Sequence, residues 1–419
     1  MKRSRKKRIN YFKIAIALFI IFIIIFGMYK LITRKPKPKV IYMPNIVDKK
    51  LDEANTLLDE YNLNIDKTYT YSDKDKDIII SQSIDESTVI NSGDTLKLVI
   101  SKGPLDKEKL KKDGINELGS VPIMMYHGIK NMKNSETKYT GGNVDKDGYT
   151  RTAEAFRNDL DFYYEKGYRM VKLSDYIQGN INTPYGKSPI ILTFDDGNDN
   201  NIKVTGLDES GEIIIDKNSA VGILEEYKKK YPDYNVTAIF FVTSALFNQP
   251  EYNEKILKWL VKNGYEIGNH TKGHNNLSNT TTAETEEVVG YVYQELEGIL
   301  GNDYEHIVAL PFGSPYVKSH ANYSHVLNGT YNGKTYETVS ALRVGWEPEV
   351  SPFHKDFDKT FLKRCRAYNN NGVDFDIEMV FRILDKKRYI SDGDVDTIVI
   401  NNSDNLNKEI KDKEIITYE

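Results

Sequence analysis

The chain has 419 residues, with 57 lysines and arginines against 61 aspartates and glutamates, a formal net charge of −4. Twelve of the 57 basic residues and none of the 61 acidic ones lie in the first 39 positions, so the remainder keeps 45 basic residues and is unsuited to bind nucleic acid by bulk charge. The single cysteine excludes an internal disulfide, so burial of apolar side chains must hold the fold together.

The N-terminal residues predict a membrane anchor. Basic residues dominate the segment from Lys2 to Arg8, and residues 11–32 are then almost wholly apolar, long enough as a helix to cross about 30 Å of hydrocarbon. The positive-inside rule places the basic tail, residues 1–10, in the cytoplasm. No small-x-small cleavage site follows the span, which favours a retained signal anchor over a cleaved signal peptide.

Residues 38–104 predict a small α+β module. Apolar spacing indicates the order strand, helix, strand, strand, with the helix around residues 51–58 and the last two strands near 78–83 and 93–104. The segment is similar to a PASTA module, which is known in wall-associated kinases and penicillin-binding proteins. Three landmarks carry the resemblance: Pro44-Asn45, Ile80-Ser81-Gln82 and Ser101-Lys102-Gly103-Pro104. It implies contact with peptidoglycan, and the alternative is a spacer that lifts the following domain off the membrane.

The remaining chain predicts one large α/β domain over residues 120–419, joined to the module by a charged linker at 105–119. Helical and strand-like patterns alternate through this region, which is typical of a wound α/β architecture. Residues 152–166 form an amphipathic pattern, 236–242 a buried strand, and 396–400 a closing strand.

Two short stretches supply metal-ligand chemistry. The first, Thr193-Phe194-Asp195-Asp196-Gly197, follows a buried apolar strand, so its aspartates lie at a strand end, where barrel enzymes keep their catalytic groups. The second, Gly268 to His274, carries His270 and His274, which would project from the same side of one helical turn. Asp-Asp-Gly alone is usually a solvated turn. Together the stretches favour a divalent metal site with Asp195 left over as a base.

These residues resemble the polysaccharide deacetylase family of carbohydrate esterases, the NodB-homology proteins, from about Val121 to the C-terminus. The family motifs Thr-Phe-Asp-Asp-Gly and His-Ser/Thr-x-x-His both match residue for residue. The resemblance implies that Asp195 is the catalytic base and that Asp196, His270 and His274 are metal ligands. It also implies a deformed (β/α) barrel of about seven strands. Zinc is the expected metal, with cobalt or nickel as alternatives.

The third motif of the family, Arg-x-Pro-Tyr-Gly, is present only in part. Ala309 stands at the arginine position and Phe312 at the tyrosine position, after Pro311. A fourth motif with an aspartate is not evident. Arg343 and Trp346 lie in a strand-like run and could take over, from a new position, the roles of the missing motif residues in the substrate pocket. We therefore expect Pro311, Phe312, Arg343 and Trp346 to line the substrate pocket. For Trp346 the alternative is an ordinary packed aromatic.

The general acid of most family members comes from a Leu-x-His motif near the C-terminus, and here no histidine follows His354. An apolar strand from Val121 ends instead in His127. This opening looks like that of the family branch containing the poly-N-acetylglucosamine deacetylases, where the acid histidine stands at the start of the domain. The resemblance implies that His127 is the general acid, and the alternative is a histidine merely hydrogen-bonded at a strand end.

These observations predict a membrane-anchored, metal-dependent N-deacetylase acting on an N-acetylated cell-surface glycan. Peptidoglycan is the first candidate substrate, and an exopolysaccharide such as poly-N-acetylglucosamine is an alternative. Such an enzyme works outside the cell, which favours an extracellular catalytic domain although basic residues flank the span on both sides.

Two further alternatives belong to other functional classes. The incomplete motifs suggest a catalytically silent wall-binding protein on the same fold, although the intact aspartates and histidines argue against it. Two histidines and a carboxylate can also hold iron in an oxygenase. Those sites normally occur on jelly-roll sheets, whereas this chain alternates helix and strand.

Overall fold

The computed structural model describes residues 11–32 and 40–418. The first helix, α1, spans Tyr11–Ile32, and its side chains are described only between Ile16 and Met28. Within these described ranges, no helix is both long enough and apolar enough to cross a membrane. The basic tail expected over residues 1–10 lies outside the described residues. The transmembrane anchor expected over residues 11–32 is not confirmed and stays a prediction.

The chain divides into two units, Met1–Asp106 and Lys107–Glu419. After α1, the first unit contains β1 (Ile41–Tyr42), α2 (Leu51–Leu58), β2 (Asn64–Thr70), β3 (Ile79–Gln82), β4 (Val89–Ile90) and β5 (Thr95–Ser101). Strand β5 lies between β2, which is parallel to it, and β3, which is antiparallel.

The core of the first unit follows from period-two alternation in β5. Leu96, Leu98 and Ile100 of this strand are fully buried, and helix α2 packs Ala54 and Leu58 into the same core. The expected order of strand, helix, strand, strand is present. Strands β2 and β4 are additional elements. The residues of β2 are largely exposed and polar and gave no apolar signal in the sequence, and β4 has only two residues.

The second unit begins with a short helix, α3 (Lys107–Lys112), and ends with a separate two-stranded parallel sheet formed by β21 (Thr397–Ile400) and β22 (Glu414–Thr417). Its helices are α3 (Lys107–Lys112), α4 (Ala153–Glu165), α5 (Leu173–Gln178), α6 (Ala220–Lys230), α7 (Asn253–Lys262), α8 (Thr282–Leu300), α9 (Tyr323–Leu327) and α10 (Ile377–Leu384). Its strands are β6 (Ile123–Tyr126), β7 (Ile129–Lys130), β8 (Arg151–Thr152), β9 (Tyr168–Met170), β10 (Ser188–Phe194), β11 (Val204–Leu207), β12 (Ile213–Ile215), β13 (Ile239–Val242), β14 (Glu266–Asn269), β15 (Ile307–Ala309), β16 (Asn328–Tyr331), β17 (Lys334–Glu337), β18 (Ser340–Leu342), β19 (Phe361–Leu362), β20 (Cys365–Arg366), β21 (Thr397–Ile400) and β22 (Glu414–Thr417).

A parallel sheet forms the centre of the second unit. Eight strands follow one another in the order β19-β18-β15-β14-β13-β10-β6-β20, and β9 pairs with β10 as a ninth. Its central strand β10 is buried at all seven positions, as expected for a parallel sheet covered on both faces. The strand expected to close a barrel at residues 396–400 is β21, and it lies outside this sheet.

The two outermost strands of this sheet, β19 and β20, are consecutive in the chain. Only Lys363 and Arg364 separate Leu362 from Cys365, and three Cα–Cα steps of 3.80 Å span at most about 11 Å. The two edges must therefore approach each other, so the sheet is curled. The described strands leave the seam between β19 and β20 without paired backbone hydrogen bonds. The expected barrel of about seven strands is thus corrected to a curled, open sheet of nine.

The segment expected as a linker, residues 105–119, is largely folded onto the second unit. Leu110 and Ile115 are buried, and the buried Glu117 carboxylate accepts hydrogen bonds from the Val399 amide and the Tyr389 hydroxyl, each at 2.8 Å. The sequence suggested a linker because this segment is rich in charged residues. Its few apolar side chains are spaced too widely to form a helical or strand-like pattern.

Candidate active site

The candidate site lies along the carboxyl edge of the parallel sheet. His127 follows β6, Asp195 and Asp196 follow β10, and His270 follows β14. Because parallel strands end at one common edge, these side chains come together although the sequence separates them widely. The strand end expected from the sequence is therefore the position at which the aspartates are found.

Asp196 turns towards the histidines because of an unusual backbone. It has a φ of +74°, in the left-handed region that is strained for a residue with a side chain. The following Gly197 has a φ of +63°, and a Cβ there would lie 2.0 Å from the Leu246 carbonyl oxygen. Glycine is thus required at this turn, which gives the Asp-Asp-Gly order a structural reason.

Asp196, His270 and His274 form a cluster that fits a divalent metal. Their ligand atoms all lie within 4.8 Å of one another. Asp196 Oδ1 lies 3.3 Å from His270 Nε2 and 3.5 Å from His274 Nε2. One carboxylate and two imidazoles are a donor set that zinc accepts, with a position left open for water or substrate.

The tautomer of His270 supports this fit. Its Nδ1 lies 2.8 Å from the Ala309 carbonyl oxygen, so in the neutral ring Nδ1–H donates and Nε2 carries a lone pair. That buried Nε2 makes no hydrogen bond and faces the Asp196 carboxylate. Burial lowers the pKa of His270, but the adjacent Asp195 and Asp196 outweigh it and raise the pKa above the usual value. The two carboxylates thus favour a positive charge at this position, which a proton or a metal cation can supply.

Asp195 is held by an arginine that the sequence analysis did not identify. Arg364 donates two parallel hydrogen bonds of 2.7 Å, from Nη1 to Oδ1 and from Nη2 to Oδ2, and both side chains are buried. Arg364 Nη1 also donates to Thr193 Oγ1 at 3.1 Å, and its Nε donates to the Arg343 carbonyl at 3.3 Å. Burial raises the pKa of Asp195, but Arg364 and the nearby histidines outweigh it, so this pKa lies below the usual value.

His127 lies beside Asp195 and is not one of the three residues of the metal cluster. Its Nε2 lies 4.0 Å from Asp195 Oδ2, and its buried Nδ1 has no hydrogen-bond partner. The ring packs edge-on against Tyr149, with 4.8 Å between ring centroids. Burial lowers the pKa of His127, and the attraction of Asp195 and Asp196 offsets this only in part.

These groups open into a cavity of about 300 Å³. Its polar lining consists of the five residues predicted as base, acid and metal ligands, and its apolar lining consists of Tyr149, Leu310, Phe312 and Val344. Phe312 lies edge-on to the His274 ring, with centroids 4.6 Å apart. The apolar side of the cavity can take a methyl group next to the polar cluster.

The other residues predicted for the substrate pocket lie elsewhere. Pro311 is buried next to Phe312 but does not line the cavity. The Arg343 guanidinium packs over the Phe361 ring, 5.7 Å from its centroid, and only the Arg343 carbonyl contacts Arg364. Trp346 lines a neighbouring cavity instead.

Sequence reasoning missed Arg364 for a physical reason. The family motifs that guided it place the arginine next to the third motif, at Ala309 here, whereas Arg364 lies in the short connection between β19 and β20. The available signal was a basic residue inside the strand-like run from Phe361 to Arg366, where an unpaired charge would be costly to bury.

Comparison with known families agrees with this geometry. Residues 182–328 match the family model for polysaccharide deacetylase, and residues 41–102 match the PASTA domain. The chain carries a polysaccharide deacetylase domain and a PASTA domain. The deacetylase match contains Asp195, Asp196, His270 and His274, whereas His127 and Arg364 lie outside it. Among curated proteins, none shows significant similarity to the chain.

Several solved structures resemble the chain at low sequence identity. Streptococcus pyogenes deacetylase PplD, in complex with acetate, is 18% identical over 60% of this chain and 93% of that one, with a TM-score of 0.43. The BpsB deacetylase domain from Bordetella bronchiseptica is 12% identical over 60% and 97%, with a TM-score of 0.38. The peptidoglycan deacetylase PdaC from Bacillus subtilis is 24% identical over 32% and 55%, with a TM-score of 0.22.

Proposed function

We propose that this chain is a metal-dependent N-deacetylase that removes acetyl groups from peptidoglycan. One observation carries the proposal. Three lone-pair-bearing atoms of Asp196, His270 and His274 converge beside the buried carboxylate of Asp195. Such an arrangement is suited to hold a divalent cation, and it leaves one carboxylate to act on a nearby water.

The residues have distinct roles in the proposed reaction. A divalent metal, with zinc the best fit to the donor set and cobalt or nickel also possible, would polarise the acetamide carbonyl and acidify water. Asp195 accepts a proton from the attacking water, and Arg364 keeps that carboxylate oriented. His127, which lines the same cavity, donates a proton to the sugar amine as the C–N bond breaks.

The shape of the cavity supports an acetyl group as the part of the substrate that is bound. Leu310, Phe312 and Val344 line it together with the catalytic carboxylate and give it an apolar surface. An acetamide methyl can pack against such a surface while its carbonyl faces the metal ligands. The low exposure of Asp195, at 2%, keeps bulk water from the base.

The PASTA domain favours peptidoglycan as the glycan. A deacetylase tethered to a wall-contacting domain meets its polymer at a raised local concentration, which a secreted exopolysaccharide enzyme does not need. The deficit of basic residues outside the first 39 also makes binding to a strongly anionic polymer by bulk charge unfavourable.

The proposed substrate is tested by measuring acetate release. Purified protein starting at Lys39 is incubated with peptidoglycan, soluble chitin oligomers and poly-N-acetylglucosamine, and its metal content is determined in parallel. We expect acetate from peptidoglycan at the highest kcat/KM and a stoichiometric divalent metal, zinc and not iron. A metal-loaded, folded protein that releases acetate from none of the three substrates would contradict the proposal.

We also propose that the enzyme is held at the cell membrane by one N-terminal helix, with its N-terminus cytoplasmic and its catalytic domain extracellular. The basic residues from Lys2 to Arg8 support the orientation. The large apolar side chains described in α1 are 46–64% exposed and need an apolar environment. Protease added to intact cells should remove the domain after Lys39, and full protection of that domain would reverse the topology.

A further inference from the structure

A second cavity of about 570 Å³ lies in the deacetylase unit beside the candidate active site. Aromatic and polar side chains line it together. The aromatic ones include Tyr139, Trp346 and Tyr368, and Arg366 is the largest of the polar ones. The Trp346 side chain is 51% exposed, which is unusual for a residue of this size inside a cavity. The reaction proposed above makes no use of this cavity.

The two cavities share a wall. The Arg366 guanidinium stacks over the Tyr149 ring, 4.9 Å from its centroid, and Tyr149 in turn packs on the catalytic His127. On the other side, Val344 lines the active-site cavity and Trp346, two residues later, lines the second one. The two cavities are therefore neighbours, as subsites for successive units of one sugar chain must be.

A buried polar network fixes the floor of the second cavity. Arg151 and Asp159 form a buried ion pair at 2.7 Å, and Arg151 Nη1 also donates to Asn143 Oδ1 at 2.8 Å. Asn143 Nδ2 donates to the Asn369 carbonyl at 2.8 Å, and the Asn369 amide donates back to Asn143 Oδ1 at 3.3 Å. Asn143 and Asn369 both line the cavity, so its shape is preorganised before any ligand binds.

The chemistry of the lining fits a sugar ring. The Trp346 face offers an apolar platform for the C–H side of a pyranose, and neighbouring amide and charged groups can bond to its hydroxyls. The formal charges of the lining balance, because Lys146 and Arg366 are matched by Asp147 and Asp374. An uncharged sugar unit therefore suits the cavity better than an acidic one.

We propose that this cavity is a subsite for an uncharged sugar unit next to the unit being deacetylated, with Trp346 as its stacking platform. The proposal rests on the proposed function for the identity of the polymer. It makes the enzyme prefer oligosaccharides long enough to fill both cavities. It also assigns Trp346 to polymer recognition and not to the acetyl pocket.

The two tryptophans of the chain allow a direct binding test that needs no turnover. Trp259 lies on α7 and stacks on Tyr265, so Trp259→Phe leaves Trp346 as the only emitting tryptophan. Full-length protein carrying Asp195→Asn as well is titrated with the N-acetylglucosamine tetramer. We expect a saturable change in tryptophan emission, with at least about tenfold weaker binding of the monosaccharide, which corresponds to ~1.4 kcal/mol.

The matched control is the Trp346→Phe variant in the same Asp195→Asn background, in which only Trp259 emits. No saturable change is expected there. An equal change in both variants, or no change with the tetramer in either, would overturn the subsite.

A kinetic measurement separates failure of the subsite from failure of the proposed function. In the protein that keeps Asp195 and Trp259, Trp346→Ala should raise KM for the tetramer about tenfold and leave kcat within about twofold. The lost contact stabilises the bound substrate and the transition state equally. Acetate release with an unchanged KM in Trp346→Ala would overturn the subsite and leave the deacetylase intact. Saturable emission changes without acetate release from any glycan would instead refute the deacetylase and keep the subsite.

Discussion

Asp195 and Asp196 are neighbours in sequence with different surroundings. Asp195 is buried and bonded twice to Arg364, whereas Asp196 is partly exposed and faces two imidazoles. The aspartate with a cationic partner inside the protein is suited to remain a base, and the aspartate without one is suited to bind a metal.

This division of roles predicts different effects of two isosteric substitutions. Asp195→Asn keeps a carbonyl for Arg364, so the protein should bind zinc normally but lose about 10²–10⁴-fold in kcat. Asp196→Asn should weaken zinc binding at least about tenfold. Zinc titration and acetate release on both variants give the comparison. Equal metal affinity and equal activity in the two would show that the roles are wrongly assigned.

Arg364 is predicted to be essential to stability because of its burial. Arg364→Met leaves the Asp195 carboxylate buried without a counter-charge and should lower the free energy of unfolding by about 3–5 kcal/mol. Adding Asp195→Asn removes that charge, so the double variant should be more stable than Arg364→Met alone. Urea denaturation of the three proteins measures this coupling. Additive losses would mean that the pair contributes no mutual stabilisation.

His127 is predicted to be the general acid. His127→Ala should keep fold and metal content and lose about 10²–10⁴-fold in kcat, because His127 is the one imidazole in the described lining of the cavity that is not placed among the metal ligands. His306→Ala is the matched control, since His306 precedes β15 at the other end of the strands and contacts the Glu337 carbonyl. Comparable kcat values for these two variants would assign the proton to another donor.

The residues of the site were predictable to different degrees. The two aspartates and His127 each follow an apolar strand, and the structure brings them together with the histidines. The helical turn expected for His270 and His274 is wrong: both lie in the loop between β14 and α8, where Thr271 and His274 have positive φ angles that a right-handed helix does not allow. Arg364 and Tyr149 were not predictable, because they arrive from a strand connection and a long loop whose paths depend on tertiary packing.

At the scale of elements, the seam between β19 and β20 determines the position of Arg364. Gly345 lies against this seam, and a Cβ there would approach the Arg364 carbonyl oxygen to 2.6 Å and its amide nitrogen to 2.8 Å. The backbone that carries the arginine can therefore occupy its place only beside a residue without a side chain.

Gly345→Ala is predicted to move Arg364 away from Asp195. Overpacking of this kind should lower the free energy of unfolding by about 1–3 kcal/mol and reduce kcat. Gly206→Ala is the control, because a Cβ at Gly206 meets nothing within 4 Å and should change stability by less than about 0.5 kcal/mol. Thermal denaturation and acetate release measure both. Indistinguishable variants would mean that the seam tolerates a side chain.

The elements themselves were predictable where apolar periodicity was strong. Strand β10 and helix α4 lie close to their predicted positions because both bury a regular apolar pattern. The position of β21 outside the main sheet was not predictable, since strand pairing is decided by contacts distant in sequence.

At the scale of the whole molecule, the sequence indicated two folded units, and the structure divides the chain at Asp106. The PASTA and deacetylase assignments are confirmed by the family matches. The expected linker is largely part of the second unit, because Leu110, Ile115 and Glu117 are buried there. A truncation that is meant to isolate the deacetylase domain should therefore begin at Lys107 and not at Ser120.

The central claim is that a metal bound by Asp196, His270 and His274 is required for deacetylation. The most direct measurement is acetate release from peptidoglycan before chelation, after removal of metal and after addition of one equivalent of zinc. We predict loss of activity to the level of Asp195→Asn on chelation and its recovery with zinc. Full activity in protein shown by elemental analysis to contain no metal would contradict the claim.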